Sequence, residues 1–302
     1  MSSGGDATIW AADFSLSGRY LAVAGKDRSI KVFKVIATEE ERSAQQRYES
    51  QSSLASKSLL APVFLSQPCR EFKGHSAEIL TLSWIAFHPT DDRFFLSGSF
   101  DATLRLWDIT RISIVYSALM TDIITAVAFS PDGKVAICGS FNGTCIFLDT
   151  AGLRERSRIC IQSSGSKSGV CPKITGLQTI ISSDSIDTTG QAKLMMTTND
   201  SRIRIYYLVD YGLEYKLEGI RNQSSQIHAR FNDSGEYAIC GSENDEVHIW
   251  HLNSGEPKEF HERFHTHSEA VTNATMAPMV TRKIEPCSKY AVHGRNDPRF
   301  FP

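Results

Sequence analysis

Three short segments decide the fold: Ile85-Ala86-Phe87-His88-Pro89, then Ser97-Gly98-Ser99-Phe100-Asp101, then Leu104-Arg105-Leu106-Trp107-Asp108. An apolar segment ends in an aromatic, a second leads into a turn carrying Asp101, and a third closes on Trp107. Apolar and polar positions alternate, as in strands with one buried face. The same order recurs outward in both directions. Ala11-Ala12-Asp13-Phe14-Ser15 leads to Gly25-Lys26-Asp27 and Ile30-Lys31-Val32-Phe33, and Val127-Ala128-Phe129-Ser130-Pro131 leads to Gly139-Ser140-Phe141-Asn142 and Cys145-Ile146-Phe147-Leu148-Asp149. Ala229-Arg230-Phe231-Asn232 leads to Gly241-Ser242-Glu243-Asn244 and Val247-His248-Ile249-Trp250. From aromatic to turn residue the separation is 13 (14 to 27), 14 (87 to 101), 13 (129 to 142) and 13 (231 to 244). Chance would not hold that register four times, so the chain is a repeat array. A divergent copy runs from Ile174 through Thr197-Thr198-Asn199-Asp200 to Ile203-Arg204-Ile205-Tyr206. Ser113-Ile114-Val115-Tyr116 and Leu213-Glu214-Tyr215-Lys216-Leu217, lying between copies, suit a fourth, outer strand. No segment shows an apolar helical stripe with caps. The expectation is an all-β chain of four-stranded blades arranged radially, about five blades plus an extra strand.

Gly74-His75, Asp101 in the turn and Trp107-Asp108 resemble the signature of the WD-repeat β-propeller family. The resemblance implies a hydrogen-bonded group of His75, Ser97 (or Ser99), Asp101 and Trp107, because a buried indole and imidazole need partners. Other copies keep fragments: Phe33, Leu148 and Tyr206 stand for the Trp, and Asn142 and Asn244 for the Asp. Those blades rest mainly on apolar packing. Within the family, Lys173-Ile174-Thr175-Gly176 with Thr198 to Tyr206 is similar to the rabphilin-like, WD-repeat protein 44 group, which binds Rab-type small GTPases. So are Ser225-Gln226-Ile227 leading to Gly241-Ser242-Glu243, and Phe87-His88-Pro89 through Trp107. That likeness implies a non-enzymatic protein-binding scaffold in vesicle or endosomal trafficking, cytoplasmic and peripheral on endosomal membranes through its partners. Two alternatives stand beside it: an adaptor in another assembly, such as a ubiquitin ligase or RNA-processing complex, and a non-functional truncated product.

The chain departs from a complete propeller in three places. Where other copies place the aromatic nine residues after the Gly-His position, His75 is followed at that distance by Trp84, so Leu80-Thr81-Leu82-Ser83-Trp84 already ends an inner strand. Ile85 to Pro89 then ends one again. Either a short loop is inserted, or a join has removed about 40 residues, close to one repeat. The same count from His267 reaches Met276, making Ala270 to Pro278 the inner strand of a blade that nothing completes. At the other end the chain begins on an inner strand, so both ends read as truncated and the ring as open. The expected organisation is a propeller over 1–278, with a flexible linker at 36–66 inserted after the first blade, and an irregular tail over 279–302. Ser163 to Gly169 and Ser182 to Gly190 read as loops.

A net charge of -2 supplies no field for nucleic acid or acidic lipid. None of the seven cysteines is spaced C-x-x-C, and Cys138 and Cys240 sit as strand fillers in matching copies, pointing to a reducing compartment. Met1 to Ala7 reads as no signal peptide, and no run approaches the ~20 apolar residues of a membrane helix. A G-x-S-x-G elbow, a phosphate-binding loop and G-x-G-x-x-G are absent, so neither catalysis nor a cofactor is expected. His261, His265 and His267 lack a Cys or carboxylate at matching spacing, so no metal is expected. Arg202 and Arg204 beside Tyr206 and Tyr207 read as a solvated face rather than a nucleic-acid site. Binding of other proteins is the stronger expectation. The residues before each turn Asp or Asn, namely Lys26, Phe100, Phe141, Asn199 and Glu243, should share one propeller face. Phe100 and Phe141, in adjacent copies, are the candidate anchors unless both rings tuck between blades. No obligate oligomer is expected.

Overall fold

Each sequence copy becomes one antiparallel sheet of four strands in the computed structural model, which describes residues 9–51, 63–65, 67–77, 85–162, 171–182, 191–252, 261–266 and 268–277. The first sheet contains β1 (Ile9–Phe14), β2 (Tyr20–Gly25), β3 (Ser29–Lys34) and β4 (Arg70–Lys73). The second contains β5 (Ile85–Phe87), β6 (Phe94–Gly98), β7 (Thr103–Asp108) and β8 (Ser113–Leu119). The third contains β9 (Ile124–Phe129), β10 (Val135–Ser140), β11 (Thr144–Asp149) and β12 (Arg154–Cys160). The fourth contains β13 (Ile174–Ser182), β14 (Gln191–Thr198), β15 (Arg202–Tyr207) and β16 (Leu213–Leu217). The fifth contains β17 (Arg230–Phe231), β18 (Tyr237–Gly241), β19 (Glu246–His251) and β20 (His261–His265). Strands pair in sequence order within every sheet. The chain is all-β apart from one helix, and its sheets are blades of the propeller type.

The turn joining the second and third strands explains the recurrent Asp or Asn. The Asp27, Asp101 and Asn142 side chains each accept the backbone N–H two residues on, at 3.1, 2.9 and 3.2 Å. That local bond replaces a backbone turn contact. The turn then needs a left-handed residue, found at Arg28, Ala102, Gly143, Ser201 and Asp245 with φ between 56° and 75° in every blade. Five identical turns at the same end of five sheets build one rim.

Cores lie between blades. One cluster joins Ala22, Ile30 and Phe72 of the first sheet to Ile85, Phe95 and Trp107 of the second, and a separate cluster serves each later pair of neighbours. Close approach depends on two glycines. A Cβ on Gly98 would stand 2.4 Å from Ile124 Cγ2, and one on Gly139 would stand 2.6 Å from Ile174 Cγ2. The first residue of each next inner strand therefore fills the space that a missing side chain leaves.

The structure departs from the sequence expectation at two places. Within the stretch read as a flexible linker, residues 39–51 form a helix, α1 (Glu39–Gln51). Thr38 Oγ1 accepts the Glu41 N–H at 3.2 Å, and the Glu41 carboxylate accepts the Ala37 N–H at 3.1 Å and the Lys34 ammonium at 2.5 Å. Three glutamates occupy the first turn, where the helix dipole favours anions. A search for an apolar stripe misses this helix because it is almost wholly polar; Thr38-x-x-Glu41 was its signal. The ends of the insertion are tied together by the Val35–Phe64 bridge and the bond from Ile36 N–H to the Val63 carbonyl, 2.9 Å.

The extra strand is the second departure. Residues 268–277 form a single parallel bridge, Asn273 to His228, rather than a regular strand, with Val271 buried against Ile239 and Val247. The inner-strand ending at Leu80 to Trp84, the loops 163–170 and 183–190, His267 and the tail 279–302 lie outside the described residues.

Candidate interaction face

The second blade carries a directed chain of hydrogen bonds. Trp107 Nε1–H donates to Ser97 Oγ at 2.7 Å, and Ser97 Oγ meets His75 Nε2 at 2.7 Å. His75 Nδ1 meets Asp101 Oδ2 at 3.1 Å. Burial drives the His75 pKa down to about 4, against the pull of Asp101. The imidazole is therefore neutral, with one acceptor and one donor nitrogen, so Ser97 donates to Nε2 and Nδ1–H donates to Asp101. Burial also works to raise Asp101, but bonds from Thr103 and the Ser76 N–H, with the nearby His75, hold it at about 2. Between His75 and Trp107 stands Ser97; Ser99 instead donates to the Ala77 carbonyl at 3.2 Å. The network fixes the turn whose outermost residue is Phe100.

On the rim, Phe100 is 37% and Phe141 54% exposed, so neither ring is tucked between blades. They occupy equivalent turns of adjacent blades. Lys173 lies 6.0 Å from the Phe141 ring centroid, a cation over an aromatic face, and burial lowers its pKa. Lys26 is exposed on the first blade's turn and Asn199 half-buried on the fourth. Glu243 is used internally: its Oε1 accepts the Gln223, Ser224 and Ser225 N–H groups at 3.1, 2.8 and 2.7 Å and the Ser224 hydroxyl at 3.0 Å. Burial works to raise this carboxyl, yet those N–H bonds bring it to about 2. The carboxylate braces the 223–225 loop and is not presented outward.

Arg202 and Arg204 do not form a solvated cationic face. Arg204 is 4% exposed and places Nη2 2.6 Å from Asp200 and Nη1 2.5 Å from Thr198 Oγ1. Arg202 pairs with Asp200 and Glu218, both at 3.1 Å. In place of the Trp-centred chain, the fourth blade is held by this buried ion pair, with Tyr206 where the Trp would stand. Sequence reasoning passed over that role because an Arg two positions before the aromatic looks the same whether buried or solvated.

His261 and His265 sit at the two ends of β20. Among the described residues no group of three His, Cys, Asp or Glu could hold a metal, and no helix is long and apolar enough to cross a membrane. At the axis, inner strands of all five blades line one cavity of about 240 Å³, reached by Asp13, Phe87, Phe129, Gln178, His228 and Arg230. Asp13 also accepts the Phe87 N–H at 3.1 Å, joining the first two blades.

Comparison with known proteins agrees with this geometry. The family described as WD domain, G-beta repeat matches residues 2–34, 66–108 and 115–149. An uncharacterized WD repeat-containing protein of Schizosaccharomyces pombe is 32% identical over 284 residues, covering 81% of this chain and 48% of that protein. WD repeat-containing protein 44 of Xenopus laevis is 31% identical over 347 residues, covering 89% of this chain and 37% of that protein. The 2-deoxy-glucose resistant protein 2 of Saccharomyces cerevisiae is 25% identical over 339 residues, covering 82% and 39%. The chain thus spans less than half the length of these relatives. The stretch of 347 residues aligned with the Xenopus protein exceeds the 302 of this whole chain, so that relative carries residues within the matched region that have no counterpart here. With its matched repeats, its five four-stranded blades about one cavity and the Trp-to-Asp bond chain of the second, the chain belongs to the WD-repeat family.

Proposed function

We propose that this WD-repeat chain is a protein-interaction scaffold in vesicle or endosomal trafficking, acting in a Rab-type small-GTPase pathway through the rim that carries Phe100 and Phe141. The single observation that carries the reading is the exposure of these two rings on equivalent turns of neighbouring blades, beside the half-buried ammonium of Lys173. Exposed aromatics flanked by a cation are the usual anchors of a protein interface. The Phe100 turn is fixed from below by the Ser97–His75–Asp101 chain and the Phe141 turn by Ser140 and Asn142, so both rings are presented at little ordering cost. The GTPase pathway comes from the likeness to the rabphilin-like group and from the 31% identity to WD repeat-containing protein 44.

The test has two parts. Partners captured by the wild-type chain are compared with those captured by Phe100→Asp with Phe141→Asp. Loss of partners without loss of thermal stability supports the face, and unchanged capture removes it. Purified chain is then titrated with GTP-loaded Rab-type GTPases. Saturable binding that the GDP-loaded form lacks supports direct contact, and a flat titration across the set removes it.

A further inference from the structure

The axial cavity holds polar groups that the blades do not use. His228 is 5% exposed, and among the described residues neither of its ring nitrogens has a hydrogen-bond partner. Arg230 Nε is buried and likewise unpartnered. Both residues lie two apart at the start of the fifth blade's inner strand and line the same cavity. The first blade adds the Asp13 carboxyl to the same cavity, one oxygen of which accepts the Phe87 N–H. Asp13 and Arg230 attract one another through space, yet among the described residues they form no ion pair. A buried donor or acceptor left without a partner costs about 1–3 kcal/mol. A propeller axis that needed only to be filled would carry small apolar residues, as the second and third blades do with Ala86 and Ala128 at the positions equivalent to Asp13 and Arg230.

The cavity therefore has two poles. Arg230, with a neutral His228 able to donate one N–H, is suited to an anion. Asp13 is suited to an ammonium. Between the poles the walls are mixed, with Val127 and Phe129 beside Gln178 and Thr179. The cavity volume is about 240 Å³. That is below the usual range for a drug-sized ligand. We propose that this cavity binds a small zwitterion of the α-amino-acid class, its carboxylate on Arg230 and His228 and its ammonium on Asp13. Such a ligand would tie the first blade to the fifth, the two ends of the blade series, and so brace the ring.

The experiment uses the full chain, with each of the common amino acids as a separate probe, followed by calorimetric titration and thermal melting. For the tightest binder, the N-acetyl acid and the amino-acid amide serve as single-charge analogues on the wild-type protein. The expected result is one saturable site that raises the melting temperature, with each analogue at least tenfold weaker. Asp13→Asn should then lose the preference over the N-acetyl acid, and Arg230→Gln the preference over the amide. The proposal is overturned by no saturable binding across the set. It is equally overturned by analogues that bind as tightly as the parent, which would mean a site for one charge only, or by variants that keep the full preference. The analogue comparison needs no substitution, so a variant that fails to fold leaves the test intact.

Discussion

The Val271 N–H donates to the Ser242 carbonyl at 3.0 Å, as the Ile124 N–H does to the Ser99 carbonyl at 3.4 Å. Gly241 beside Ser242 would, with a Cβ, stand 2.1 Å from the Val271 carbonyl oxygen, just as Gly98 abuts Ile124. Residues 268–277 therefore sit against the fifth blade as each inner strand sits against the blade before it. They hold the position that the inner strand of a further blade would take.

This relationship sets the first prediction. In Gly241→Ala the new methyl meets backbone, which cannot swing aside, so the 268–277 segment should detach while the five blades stay folded. Amide exchange at Val271 should accelerate at least tenfold with little change in the global unfolding midpoint. Gly139→Ala, where the methyl meets Ile174 between two complete blades, should instead lower global stability by about 1–3 kcal/mol. Equal effects from both would contradict this reading.

Ser97 and Ser99 are two residues apart and both fully buried, but they differ in what they hold. Ser97→Ala removes the acceptor of the Trp107 indole and the donor to His75 together. At about 1–3 kcal/mol for each stranded group, chemical denaturation should show a loss of at least ~2 kcal/mol. Ser99→Ala breaks two longer bonds, to the Ala77 carbonyl and from the Asp101 N–H, both 3.2 Å, and should cost less than Ser97→Ala, about 0.5–1.5 kcal/mol.

Arg204 and Arg202 offer a matched pair. Arg204→Met removes the buried partner of Asp200, leaving it Arg202 and the Thr198 hydroxyl, and should cost about 1.5–3 kcal/mol. Arg202→Met removes partly exposed pairs and should cost less than about 1 kcal/mol. Arg204→Lys should not restore the loss, since one ammonium cannot reach both Asp200 and Thr198 as the guanidinium fork does. Urea midpoints of the three variants decide it.

Stability should fall as pH drops from about 6.5 towards 4. Burial holds His75 at about 4 and His228 at about 3, so over that window the unfolded chain takes up protons that the folded chain refuses. Asp13 acts in the opposite sense: burial raises it to about 6, so the folded chain binds its proton first as pH falls and regains some stability. Asp13→Asn should therefore be more stable than wild type at pH near 7 and show a steeper decline below 6. Urea midpoints of both proteins across this range are the measurement, and parallel curves would contradict the assignment.

Much of the fold was legible because the propeller is built from local rules. A 13- or 14-residue interval between strand-ending aromatic and turn Asp or Asn is one hairpin closed by its own side chain, so spacing alone locates β2 with β3, β6 with β7, and β10 with β11. The His75, Asp101 and Trp107 positions could likewise be read from one blade. Helix α1 was not legible to a search for buried faces, because its stability comes from the Thr38–Glu41 cap and first-turn charge instead of an apolar stripe. Nor was the inward use of Glu243, which depends on a loop twenty residues away folding back to offer three N–H groups.

By itself, then, the order of side chains determined the strand hairpins, the repeat and the family, since each depends on contacts among residues close in sequence. Only the tertiary structure decided which serine serves the indole, that Arg204 is buried and Phe141 exposed, and that Asp13 shares a cavity with His228 and Arg230. Those outcomes depend on which face each blade turns to its neighbour, and the packing of one blade against the next sets that choice.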